Sequence, residues 1–246
     1  MEAAGLGAFM LSACLFAALL EHPASPLHHA IGSPVVRRAL MGLAMGLTAV
    51  AIVYSPWGKQ SGAHLNPAVT LAFFRLGKIA PWDALFYALA QFTGGITGVA
   101  VAVTMLGSVV GHPAVNYVVT APGTSGPWVA LVAEIAISLG LMTTVLVVSN
   151  TRSLARFTGL FAGALVALYI TAVAPISGMS LNPARTTASA VPAHMWTALW
   201  VYFIGPPIGM LLATEVYRRV LAAPVFCAKL HHQNGRRCIF RCAYPS

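Results

Sequence analysis

The stretch SGAHLNPA (61–68) returns as SGMSLNPA (177–184), with six of the eight positions identical. Asn followed by Pro is a helix start. The Asn side chain caps, and Pro fits the first helical position, where its missing N–H costs nothing. Each copy lies inside a strongly apolar chain. Two such starts buried in a membrane aim two positive helix ends at whatever lies between them. One Asn-Pro-Ala triplet is a weak signal. An eight-residue signature at corresponding places in two halves is a strong one.

The rest of the chain supplies the membrane. Its 246 residues are 58% hydrophobic and 8% charged, with a mean hydropathy of +0.79; soluble domains carry roughly 25% charged residues. The apolar runs are continuous rather than alternating, which points to helices and not to a barrel. Six runs, at about 3–21, 35–54, 82–107, 127–149, 157–175 and 195–221, are long enough to cross roughly 30 Å of hydrocarbon. The first lacks a basic leader and reads as a retained span rather than a cleaved signal. After each Asn-Pro-Ala box comes a shorter helical piece, 66–76 and 182–191. Ten helical residues reach only about 15 Å, half a bilayer. Such pieces are re-entrant half-helices, tolerated where their irregular ends are buried in protein or line a cavity.

The two halves, about 1–107 and 127–222, each contain three spans and one half-helix, joined by a connector over 108–126. With three spans per half the second copy is inverted, and inverted repeats with broken helices put a functional site near the midplane. The expected fold is an all-α membrane protein of six transmembrane helices and two re-entrant half-helices, followed by a separate cytoplasmic tail over 223–246. With the N-terminus inside, the inner loops and tail hold Lys59, Arg75, Lys78, Arg152, Arg156, Arg218, Arg219, Lys229, Arg236, Arg237 and Arg241, while the outer side holds Arg37 and Arg38. That bias puts both termini in the cytoplasm. It also accounts for the net charge of +9 as topology, so the lipid bilayer and not nucleic acid is the partner. The short loops suggest a prokaryotic inner (plasma) membrane.

Inversion brings Asn66 and Asn182 side by side. Each side-chain oxygen caps its own helix, leaving the NH₂ to donate into a lumen. The preceding stretches, 61–65 and 177–181, are expected to be non-helical, so that Gly62, Ala63, His64, Gly178 and Ser180 line the path with backbone acceptors. A neutral molecule that both donates and accepts can move along such a ladder. A cation meets two converging positive helix ends and a large dehydration cost.

With both boxes (Asn66, Pro67, Ala68 and Asn182, Pro183, Ala184), Arg185 directly after the second, Glu2, Glu134, and the Ala90-Gln91 pair followed by Gly94, the chain resembles the aquaporins of the major intrinsic protein family over about 1–222. The resemblance implies a six-span hourglass, one pore per subunit, a homotetramer, and exclusion of protons and cations by half-helix dipoles and an Arg. It makes Arg185 part of a selectivity filter and gives Glu2 and Glu134 the structural task of holding the box loops. The span-two filter position precedes a Gly-Leu pair, which gives Met45; counting back from the first box gives Gly46. The remaining positions fall on Ile170 and Met179. Water-selective members place an aromatic, a His and a small residue there; glycerol facilitators place two aromatics, with an Asp after the box Arg where this chain has Thr186. Neither subclass fits. The filter is mostly apolar with flexible thioethers, either wider than a water filter or partly plugged by Met179.

Two features stay open. His64 reads either as a pore-lining, pH-sensitive group or as a neutral imidazole held by its loop. In the tail, Cys227, His231, His232, Cys238 and Cys242 offer five soft or borderline ligands, enough for zinc, though not in a common finger spacing; the other reading is a reduced, disordered basic tail. No further cofactor is expected. The chain shows no nucleophile–base pair or phosphate loop, which argues against an enzyme, and no acidic pair near the midplane to serve an active transporter. The expected function is passive conduction of water and small neutral solutes. Its rivals are a facilitator of glycerol, metalloid acids, ammonia or hydrogen peroxide, and a non-conducting scaffold or metal-responsive sensor.

Overall fold

The computed structural model describes residues 1–244; the last two residues of the expected tail, 245 and 246, lie outside the described residues. Among the described residues, six helices are long and apolar enough to cross a membrane. With the two half-helices they run in the order α1 (Glu2–Glu21), α2 (Pro34–Tyr54), α3 (Pro67–Arg75), α4 (Pro81–Leu106), α5 (Pro127–Asn150), α6 (Thr158–Ser177), α7 (Pro183–Ala193) and α8 (Leu199–Val216), the last continued by a π-helical turn, Tyr217–Leu221. Half-helices α3 and α7 have nine and eleven residues, about 14 and 16 Å at 1.5 Å per residue.

The packing repeats with the sequence. Helix α1 lies against α4 as α5 lies against α8, while α2 and α6 pair across the molecule. Each half-helix packs on the third span of the opposite half, α3 on α8 and α7 on α4. Small residues permit the approach. A Cβ on Gly94 of α4 would stand 2.3 Å from the Ala3 Cα of α1, and one on Gly209 of α8 would stand 2.3 Å from the Ile135 carbonyl of α5. Close contact of this kind suits helices in lipid, where van der Waals packing replaces the hydrophobic drive. The outer surface of the spans is apolar, with Leu43, Leu47, Phe86, Val132 and Leu168 exposed. All five tryptophans flank span ends: Trp57 and Trp82 on the inner side, and Trp128, Trp196 and Trp200 on the outer. This is the interfacial belt that amphipathic rings form.

Two boundaries differ from the sequence expectation. The sixth span starts at Leu199 and not at 195, because His194 and Ala198 take the left-handed conformation (φ 50° and 52°) and turn the chain between α7 and α8. Ser61 and Ser177, expected in irregular stretches, are the last residues of the helical segments that precede the boxes.

Candidate transport pore

Each box starts its helix as the Asn-Pro chemistry dictates. Asn66 is extended, with Pro67 at the first helical position, and its side-chain oxygen accepts from the Ala68 amide at 2.9 Å. Asn182 does the same for the Ala184 amide at 3.0 Å and the Arg185 amide at 3.2 Å. The two caps are then tied crosswise. Asn66 Nδ2 donates to the Leu181 carbonyl and Asn182 Nδ2 to the Leu65 carbonyl, both at 2.7 Å. This corrects the expectation that the whole NH₂ group faces the lumen. One N–H of each amide locks the halves together, and one remains to donate.

The loops before the boxes share one backbone. Gly62, Ala63 and Leu65 have positive φ (88°, 54° and 52°), as do their counterparts Gly178, Met179 and Leu181 (74°, 49° and 59°). Four of these six carry a Cβ, which disfavours the left-handed region, and such strain persists only where its surroundings over-determine it. Two buried carboxylates do so. Glu2 accepts from Ser61 Oγ (2.7 Å), the Leu65 amide (2.6 Å) and Gln91 Nε2 (2.8 Å). Glu134 accepts from Ser177 Oγ (2.7 Å), the Ser180 amide (2.9 Å) and the Leu181 amide (2.8 Å). A tyrosine completes each frame: Tyr87 donates to the Ser61 carbonyl at 2.7 Å and Tyr202 to the Ser177 carbonyl at 2.6 Å. Sequence reading missed this pair. The signal was there, since Tyr87 and Gly94 in α4 stand at the same spacing as Tyr202 and Gly209 in α8.

Between the frames runs a cavity of about 450 Å³, whose lining reaches Glu21, Pro34 and Arg38 at one end and Leu230 at the other. Asn66 and Asn182 line it, as do Ala63, His64, Gly178 and Ser180; Gly62 does not. Met45, Ile170, Met179 and Arg185 line this same cavity. Gly46 does not, since a Cβ there would stand 2.5 Å from the Gly163 carbonyl of α6. The Nη1 of Arg185 is buried and has no hydrogen-bond partner among the described residues. An uncompensated buried donor is costly, which marks Arg185 as a residue held at the cavity wall for a reason other than packing. Thr186 is turned away from it, bonded to Ser180 Oγ (2.5 Å) and Thr120 Oγ1 (2.8 Å).

His64 is buried and doubly held. Its Nε2 stands 2.8 Å from the Ala228 carbonyl and its Nδ1 stands 3.0 Å from Thr70 Oγ1. A carbonyl only accepts, so Nε2 carries the proton. The ring is stacked between Phe73 and Phe240, with centroids 5.0 and 5.5 Å away.

In the tail, Cys227, His232, Cys238 and Cys242 come together, their ligand atoms all within 4.8 Å of one another. His231, expected among them, is elsewhere: its ring packs edge-on against Tyr54 at 4.9 Å. Burial and the neighbouring Lys59 cation hold its imidazole below the usual range. The tail is also not loose. Residues 227–230 are buried against the inner end of the pore.

A family model described as Major intrinsic protein matches residues 5–217, and the chain belongs to that family. It is 40% identical over 178 residues to Aquaporin NIP2-2 of Zea mays, covering 71% of this chain and 58% of that protein. It is 37% identical over 190 residues to Aquaporin NIP2-1 of Oryza sativa subsp. japonica, covering 76% and 61%. The chain thus spans about three-fifths of the length of these relatives. The X-ray structure of the aquaglyceroporin from Plasmodium falciparum superposes with a TM-score of 0.70 at 18% identity, covering 89% of this chain and 94% of that one, which establishes the six-span, two-half-helix fold. The Zea mays and Oryza sativa relatives are plant proteins, so the prokaryotic membrane expected from the short loops draws no support from them.

Proposed function

We propose that this integral membrane protein is a passive channel for water and small neutral solutes that excludes ions and protons. The observation that carries the reading is the pair of crosswise-bonded caps, Asn66 and Asn182, inside one continuous cavity. Two helix N-termini converge there, so a cation is repelled while a neutral molecule finds the remaining amide N–H groups as donors. Met45, Ile170, Met179 and Arg185 form the filter in this account. Arg185, which lines the cavity, adds a fixed positive charge there. The names of the relatives, aquaporins, point the same way.

One observation favours a broader solute range. Three of the four filter side chains are apolar, and two are adaptable thioethers. Such a wall suits a molecule with a hydrocarbon side, and glycerol is the test solute that the aquaglyceroporin fold suggests. Side-by-side stopped-flow measurements in proteoliposomes under water, glycerol and ammonia gradients discriminate. A wide apolar filter passes glycerol as well as water, and Met179→Ala raises the glycerol flux further. Water flux without glycerol flux, unchanged in that variant, assigns a narrow water filter instead.

Four such pores in a homotetramer, and both termini in the cytoplasm, belong to the same proposal. The first rests on the family and the second on the charge bias of the loops. Short loops support a prokaryotic inner membrane, while the plant origin of the relatives argues against it.

A further inference from the structure

The tail adds to the pore a wall that the repeat does not build. Leu230 lines the cavity at its inner end, and its amide donates to the Gly62 carbonyl at 3.2 Å. The Ala228 carbonyl takes the His64 Nε2 proton, and Phe240 stacks on the His64 ring. Further along, the Arg241 amide bonds to the Lys78 carbonyl (3.1 Å) and Tyr244 Oη to the Ser149 carbonyl (3.1 Å), fixing the tail to the loops on both sides of the mouth. A short segment without regular secondary structure has little reason of its own to hold this shape.

The Cys/His cluster supplies a reason. Cys227 Sγ and Cys238 Sγ are 3.4 Å apart, and Cys242 Sγ and His232 Nε2 are 3.1 Å apart, within a set that spans at most 4.8 Å. Four ligands about 2.3 Å from a tetrahedral ion stand about 3.8 Å from one another, inside that range. The surroundings orient the donors as ligand shells do. The Lys229 amide points at Cys227 Sγ (3.5 Å), the Tyr244 amide at Cys242 Sγ (3.4 Å), and the Tyr244 ring lies flat on His232 at 4.3 Å. Lys229, two residues after Cys227, is 1% exposed; its Nζ donates to the carbonyls of Arg237 (3.2 Å) and Arg236 (3.5 Å), but it has no carboxylate partner among the described residues. A zinc ion on three thiolates and one neutral imidazole carries a net charge of −1, which is the counter-charge a buried ammonium requires.

We propose that Cys227, His232, Cys238 and Cys242 bind a thiophilic divalent cation of the zinc class, and that the metal folds the tail into a plug whose Ala228–Leu230 segment closes the inner mouth. Loss of the metal releases the plug and opens the channel. The gating half rests on the channel reading above; the metal half does not.

The test uses the full chain in detergent and in proteoliposomes. Purified protein should carry about one zinc per chain by elemental analysis, and cobalt exchange should give the visible absorption of a tetrahedral thiolate site. Cys238→Ser should abolish both, and His231→Ala should keep both. Stripping the wild type with a membrane-permeant chelator should raise water permeability at least about tenfold, reversed by added zinc. Leu230→Gly, which keeps every ligand, should be open with the metal still bound. A metal content far below one per chain, or a Cys227–Cys238 disulfide in the protein as isolated, overturns the site. Equal permeability of loaded and stripped protein, both well above empty liposomes, overturns the gate. Full metal content with no permeability in any state, Leu230→Gly included, removes the channel reading and the gate with it, and leaves the metal site standing.

Discussion

The two halves of the molecule agree in their frames and part company in the passage between them. Ser61 and Ser177, Glu2 and Glu134, Tyr87 and Tyr202, and Asn66 and Asn182 make matching hydrogen bonds around loops of matching backbone. Three residues after each Asn the halves differ: Val69 in the inner half, Arg185 in the outer. His64 and Ser180 each bond the threonine of their own half-helix, Thr70 and Thr186, but His64 also holds the tail. Gln91 supplies a third donor to Glu2, whereas Glu134 takes a second backbone amide. Repeated residues build a scaffold that holds two helix ends nose to nose. In the proposed channel, the departures decide what passes and from which side it is controlled.

The largest expected effect breaks the frame. Glu134→Leu orphans Ser177 Oγ and the amides of Ser180 and Leu181, at about 1–3 kcal/mol for each unpaired donor. Thermal unfolding in detergent should show a loss of several kcal/mol. Glu2→Leu should lose less, because only one of its three donors is a backbone amide and Gln91 Nε2 keeps a second acceptor in Thr70 Oγ1 at 3.2 Å. A greater loss at Glu2 would break the comparison. Next come the caps. Asn66→Ala and Asn182→Ala each remove a cap of about 1 kcal/mol and one crosswise bond of about 0.5–1.5 kcal/mol. The two losses should be of similar size, Asn182→Ala the somewhat larger because its oxygen caps two amides and that of Asn66 one; a loss confined to one variant would show that one half carries the junction alone. The smallest effect belongs to the tyrosines. Tyr87→Phe and Tyr202→Phe should each cost about 1 kcal/mol, with Tyr202, fully buried, the more sensitive; chemical denaturation of the two variants side by side reads the order.

Much of this was legible because the decisive residues have local chemistry. Asn66-Pro67 and Asn182-Pro183 mark helix starts to the residue, since cap and ring permit little else. Glu2 and Glu134 were legible as loop holders from the resemblance, and Arg185 from its place after the second box. What was not legible depends on tertiary contact. Left-handed Ala63, Leu65, Met179 and Leu181 have no sequence signal, because only Gly advertises positive φ. The start of the sixth span was misplaced since the apolar run over 195–198 continues through a turn set by His194 and Ala198. Spacing alone could not separate His231 from His232, and only the folded tail shows that one faces Tyr54 and the other the cysteines. The seat of Leu230 under the pore is a contact over a long stretch of chain that no local pattern encodes.

The central claim is that converging half-helices and Arg185 at the cavity wall let neutral molecules through and keep charge out. Paired stopped-flow measurements on metal-stripped proteoliposomes, water flux by light scattering and proton flux with a trapped pH dye, compare wild type with Arg185→Val. The account predicts wild-type water flux with no proton leak above empty liposomes, and in the variant water flux within about twofold of wild type alongside a clear proton leak. A proton leak in the wild type as fast as in the variant, or water flux no faster than through empty liposomes, would contradict it.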